Sequence, residues 1–200
     1  MRALVACLLL LAAPLHAAEP IAWNPPLVGT VVVHDVTVGN VVVPGTWTVV
    51  AVDGDRVVTE SRLAGAVRRE TSFRGIVNLV SASVTFDYDE DALRALWPLA
   101  PGKRVSFAGW ARRDGITFPF DAELAVEAIE TLQTPAGTFR TALVVNDAAM
   151  DSGGTVVRMS LRMWLDAKSG VVVKAQIYLS ENDRLMPAVT MEAMQGPTPP

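Results

Sequence analysis

The chain has little of what most enzymes and most small exported domains depend on. It holds one cysteine, Cys7, and two histidines, His16 and His34, among 200 residues. A single cysteine excludes a disulfide framework, and so few His and Cys residues exclude the usual four-ligand zinc site. A basic surplus is missing too. Lys and Arg number 17 against 21 Asp and Glu, a net charge of −4, whereas phosphate contacts need clustered excess cations. Nucleic acid is therefore not the expected partner. No apolar run reaches the ~20 residues that a helix needs to cross hydrocarbon. What is present is apolar surface: half the residues are hydrophobic, which excludes disorder, and the length suits one domain.

Part of that apolar content lies outside the fold. Arg2 is followed by an apolar run from Ala3 to Leu15 and then by His16-Ala17-Ala18-Glu19. A basic start, ~13 apolar residues and small residues before the first acid make a cleavable secretory signal over residues 1–18. Leu4-Val5-Ala6-Cys7 looks like a lipoprotein box, but it precedes the apolar stretch where such a box should follow it. Export with no remaining cysteine points to a bacterial periplasm.

From Val28 onward the pattern is β. Runs such as Val31-Val32-Val33, Val41-Val42-Val43 and Val171-Val172-Val173 alternate with turn chemistry at Asp53-Gly54-Asp55, Asp114-Gly115, Pro135-Ala136-Gly137, Asp151 to Gly154, Asp166 to Gly170 and Glu181-Asn182-Asp183. About ten strands in an antiparallel meander are expected. Val157, Met159, Leu161, Met163 and Leu165 alternate with Arg158, Ser160, Arg162 and Trp164. Val173, Ala175, Ile177 and Leu179 repeat the pattern, and Met191 falls on the same inward face as Val189. One-sided sheets of this kind fit an all-β open or incompletely closed β-barrel over residues 19–195. One helix is predicted from Glu90 to Trp97, capped by the acids Asp87 to Asp91 and stopped by Pro98. Residues 196–200, Gly-Pro-Thr-Pro-Pro, are expected to fray as a disordered tail.

Residues with chemistry are few. His34 sits in a strand pattern and reads as a strand-surface histidine. The acids Asp87, Asp89 and Asp91 resemble a calcium loop, yet Ala92 and Pro98 stand where Gly and Glu would be needed, and capping accounts for them. Arg62, Arg68, Arg69, Arg74 and the pair Arg112-Arg113 read as solvated hairpin edges. No cofactor or metal is expected.

Three pieces of the chain, Trp97-Pro98-Leu99 with Pro101-Gly102-Lys103, Thr134-Pro135-Ala136-Gly137-Thr138-Phe139, and Trp164-Leu165-Asp166 with Gly170-Val171-Val172-Val173-Lys174, resemble a group of exported bacterial β-proteins of unknown function. That group looks like the lipoprotein-carrier half-barrels of the periplasm. The resemblance spans Leu96 to Leu179, implies fold and export, and carries over no catalytic residue. Val105 to Phe107 departs from it by lacking an aromatic directly after Gly-Lys.

The expected function is a non-enzymatic periplasmic protein holding a lipid or acyl chain in a concavity. Its lining would be Val157, Met159, Leu161, Met163, Leu165, Ile177 and Met191, with Leu93, Leu96 and Trp97 as a lid. The alternative is an envelope scaffold or accessory subunit that docks a protein partner through the outward tryptophans Trp110 and Trp164. A hydrolase would need two convergent acids on one inward face, and no pair of that kind is legible.

Overall fold

A computed structural model describes residues 18–81, 83–151, 154–181 and 184–200. Residues 1–17 of the expected signal, Cys7 among them, and Ser152-Gly153 and Asn182-Asp183 of two expected turns lie outside these. Twelve antiparallel strands follow one another: β1 Val31–Val38, β2 Val41–Asp53, β3 Arg56–Leu63, β4 Ala66–Phe73, β5 Val77–Ser81 and β6 Val84–Tyr88. After the helix α1, Glu90–Arg94, come β7 Arg104–Arg113, β8 Ile116–Thr134, β9 Gly137–Asp151, β10 Val156–Asp166, β11 Val172–Glu181 and β12 Arg184–Thr198. Each strand pairs with its neighbours in sequence, and β12 returns to pair with β1, closing the ring. The all-β meander with one short helix is thus the architecture, and closure leaves no free edge to template aggregation.

Closure uses the tail. Thr198 pairs with Val31, and its hydroxyl donates to the Gly196 carbonyl at 3.2 Å. The tail expected to fray is therefore paired as far as Thr198. Pro197 is accommodated because the register shifts between Val31 and Val33, and a bulge is where a strand tolerates a residue without an N–H.

The helix is shorter than predicted. Asp89 caps it by accepting from the Asp91 N–H at 2.9 Å, and irregular turns follow Arg94. It packs at the barrel end where β2 meets β3 and β4 meets β5. Leu93, Leu96 and Leu99 are fully buried there with Ile21, Phe73 and Ile76. The N-terminal segment closes the same end, with Ile21 and Leu99 exchanging backbone hydrogen bonds of 2.9 and 2.8 Å. At Gly170, φ is +68° and a Cβ would collide with the Asn24 carbonyl, so only glycine lets this segment lie against the β10–β11 turn. A second apolar cluster forms where the long β8–β9 hairpin folds over Val32, Trp164, Val173 and Ala193.

Candidate functional site

A cavity of about 500 Å³ runs inside the barrel. Its closed end is formed where Gly75, Gly170 and Pro26 come together. Val157 and Leu179 line it at the opposite end and are 39% and 42% exposed, so it opens among the hairpin tips of that end. The mouth mixes exposed charged side chains, such as Arg68, Arg113 and Asp114, with apolar ones. Val38, Val41 and Val42 on the β1–β2 hairpin, Val67, Val80, Ile116, Val156 and Met186 are all exposed on hairpins of this end.

The two long walls differ in chemistry. Strand order places β10 and β11 diametrically across the ring from β4 and β5. The β10–β12 wall contributes Met159, Leu161, Met163, Ile177, Leu179 and Met191. The side formed by β3 to β5 contributes Thr59, Glu70, Ser72 and Asn78. One wall is thus aliphatic and methionine-rich, and the other mixes these polar side chains with Val57 and Val77.

Of the residues expected to line a pocket, Val157, Met159, Leu161, Met163, Ile177 and Met191 converge on this cavity. Leu165, Leu93, Leu96 and Trp97 do not line it. Leu165, Leu93 and Leu96 are buried in the main core, and Trp97 is partly buried against that core. The predicted lid is a plug at the closed end, because the connection after β6 emerges at that end rather than at the mouth.

His34 differs from its reading as a surface residue. It is 2% exposed, lines the cavity, and makes an edge-on contact with Trp47 at 4.9 Å between ring centroids. Its Nε2–H donates to the Val172 carbonyl at 3.1 Å, which leaves Nδ1 an acceptor without a partner among the described residues. Burial lowers its pKa below the ordinary 6.5 against the smaller opposing effect of the Val172 hydrogen bond, so the ring is neutral at pH 7. Asn146, also on the lining, has a buried Oδ1 without a partner among the described residues. Tyr88, another lining residue, has its hydroxyl pKa raised by burial, with Glu90 adding to the effect.

Two further readings are corrected. Arg74 is not a solvated edge: its side chain is 12% exposed, pairs with Asp55 at 2.6 Å, and stacks 4.6 Å from the Trp97 ring centroid. Trp164 faces out of the barrel but is buried beneath the β8–β9 hairpin, where its Nε1–H donates to Glu130 at 2.6 Å. Trp110 remains 53% exposed. Of the acids from Asp87 to Asp91, Asp89 caps the helix and Glu90 and Asp91 pair with Arg94, whereas Asp87, expected as a cap, lies in β6.

This architecture has solved counterparts. A Bacteroides fragilis protein described as exported and of YmcC-like fold superposes with a TM-score of 0.54 at 16% identity, covering 88% of this chain and 98% of that one. The chain has the YmcC-like fold. The hypothetical lipoprotein YmcC from Escherichia coli superposes with a TM-score of 0.50 at 11% identity, covering 86% of this chain and 85% of that one. No protein-family model matches the sequence, and no curated protein matches it significantly. Nearly full coverage in both directions means that the YmcC-like barrel accounts for the chain as one domain-sized unit, while identities this low speak to fold alone.

Proposed function

We propose that the protein is a non-enzymatic periplasmic binding protein that holds an apolar or amphiphilic ligand, such as an acyl chain, in its barrel cavity. The observation that carries this reading is the cavity itself. Its ~500 Å³ lies in the size range of ligand sites, and its methionine wall adapts to chains of varying shape. Each buried methylene of an acyl chain contributes about 0.8 kcal/mol against an association cost of roughly 4–15 kcal/mol, so retention favours long chains. On the lining Glu70 is the one carboxylate among the described residues, so paired-acid chemistry has no second partner there.

The test is native mass spectrometry of protein purified from a bacterial envelope, together with titration of the neutral fluorophore N-phenyl-1-naphthylamine. Wild type should carry an extra mass or enhance the fluorophore, and Ile177→Trp, which fills the cavity from the apolar wall, should remove both. A bare polypeptide mass and no enhancement would end the reading. Docking of a protein partner rests on Trp110 alone now that Trp164 is buried. Unchanged co-purification in a Trp110→Ser variant would set it aside.

A further inference from the structure

We infer that the cavity selects an amphiphile whose head bears an ammonium group, and that Glu70 on β4 is the residue that receives it. The inference rests on the ligand-binding reading above and names the head-group chemistry of that same site. Among the described residues lining the cavity, Glu70 is the one carboxylate, and no Lys or Arg joins it there. One of its carboxylate oxygens accepts from the Ser81 hydroxyl at 2.6 Å, and the residue has no ion-pair partner among the described residues. Arg69 approaches Glu60 at 3.9 Å, and Arg68, two residues along the same face of β4 as Glu70, is exposed toward the mouth and is not on the lining.

The hydrogen-bond inventory points the same way. Three donors on the lining are already committed to backbone carbonyls. His34 Nε2–H donates to Val172, the Ser72 hydroxyl to Val57 at 3.3 Å, and the Tyr88 hydroxyl to Val77 at 3.2 Å. The second Glu70 oxygen makes no hydrogen bond among the described residues, whereas His34 Nδ1 and Asn146 Oδ1 are buried on β1 and β9, away from β4. A head group that donates hydrogen bonds and carries positive charge suits Glu70, whereas a carboxylate head would meet like charge. The geometry agrees with an amphiphile lying across the barrel. Its chain would rest on Met159, Leu161 and Ile177, and its head would face β4, diametrically opposite β10. A partly enclosed carboxylate is screened less by water than a surface one, so the discrimination should be measurable at physiological salt.

Binding of dodecylamine, 1-dodecanol and laurate to the purified protein, each below its micellar concentration at pH 7, distinguishes the possibilities. Wild type should bind dodecylamine about tenfold more tightly than laurate, with dodecanol between them. Glu70→Gln should bring the three within about twofold, with thermal unfolding reporting that the variant folds. Equal affinities in wild type, a preference for laurate, or a head-group preference that survives Glu70→Gln would overturn the assignment to an ammonium head and leave the ligand-binding reading standing. Failure of all three amphiphiles to bind would overturn both.

Discussion

His34 couples the barrel interior to pH. Burial holds its folded-state pKa below 6.5, whereas the unfolded chain takes up a proton near that value. As pH falls through 6.5 the unfolded state binds more protons than the native state, so stability declines until the folded pKa is reached. His34→Phe should remove this decline, at a pH-independent cost of about 1–3 kcal/mol because the Val172 carbonyl loses its donor. Urea unfolding at pH 7.5, 6.5 and 5.5 is the measurement. An equally steep loss in the variant would contradict this account. The placement of His34 was half legible: alternation in Val31 to Val36 puts residues 32, 34 and 36 on one face, and all three are buried. Which face looks inward depends on closure with β12, which no local pattern reports. Glu70 was hidden for a related reason, since flanking arginines made its strand look wholly solvated, although period-2 spacing from buried Ser72 carried the signal.

The plug is the element on which the closed end depends. A helix of five residues has no stability of its own, so α1 persists only through tertiary contacts. Two kinds of contact hold it. Leu96 is fully buried, and Leu96→Ala should cost about 2–5 kcal/mol in urea unfolding. Asp55 ties the plug from outside, accepting from Arg74 and Arg94 at 2.6 Å each. Partial burial would raise the Asp55 pKa, but the Arg94 and Arg74 hydrogen bonds outweigh that, and the net shift is below 3.8. Its contribution is therefore complete above pH 3.8 and is lost as pH falls through the lower folded value. Asp55→Asn should cost about 1 kcal/mol at pH 7, kept small by solvent screening, and the difference from wild type should shrink below pH 3.8. The helix itself was legible from its acidic cap and its leucine spacing. Its position was not, because every added strand reverses the chain. A count of ten rather than twelve strands leaves open at which end any one connection emerges.

At the scale of the whole molecule the ring is uneven, and that unevenness predicts where it opens. β8 and β9 pair at fourteen positions, whereas β5 and β6 pair at two among the described residues, Val80 with Thr85 and Ser81 with Val84. Backbone hydrogen bonds exchange by local opening, and opening costs least where fewest bonds and buried contacts must break. Amide exchange should therefore be fastest in β5 and β6 and slowest across the Ala122–Asp147 region of β8 and β9. This seam adjoins β4, the strand that carries Glu70, and Ser81 at its edge donates to the Glu70 carboxylate. An occupant held between the β10–β12 wall and β4 would brace the ring on both sides of the weak pairing. Addition of dodecylamine should then slow exchange at Val80, Ser81, Val84 and Thr85 while leaving the β8–β9 amides unchanged. Uniform protection around the ring, or none at the seam, would mean that the thin β5–β6 pairing is not the gate to the interior and that its opening is independent of the cavity.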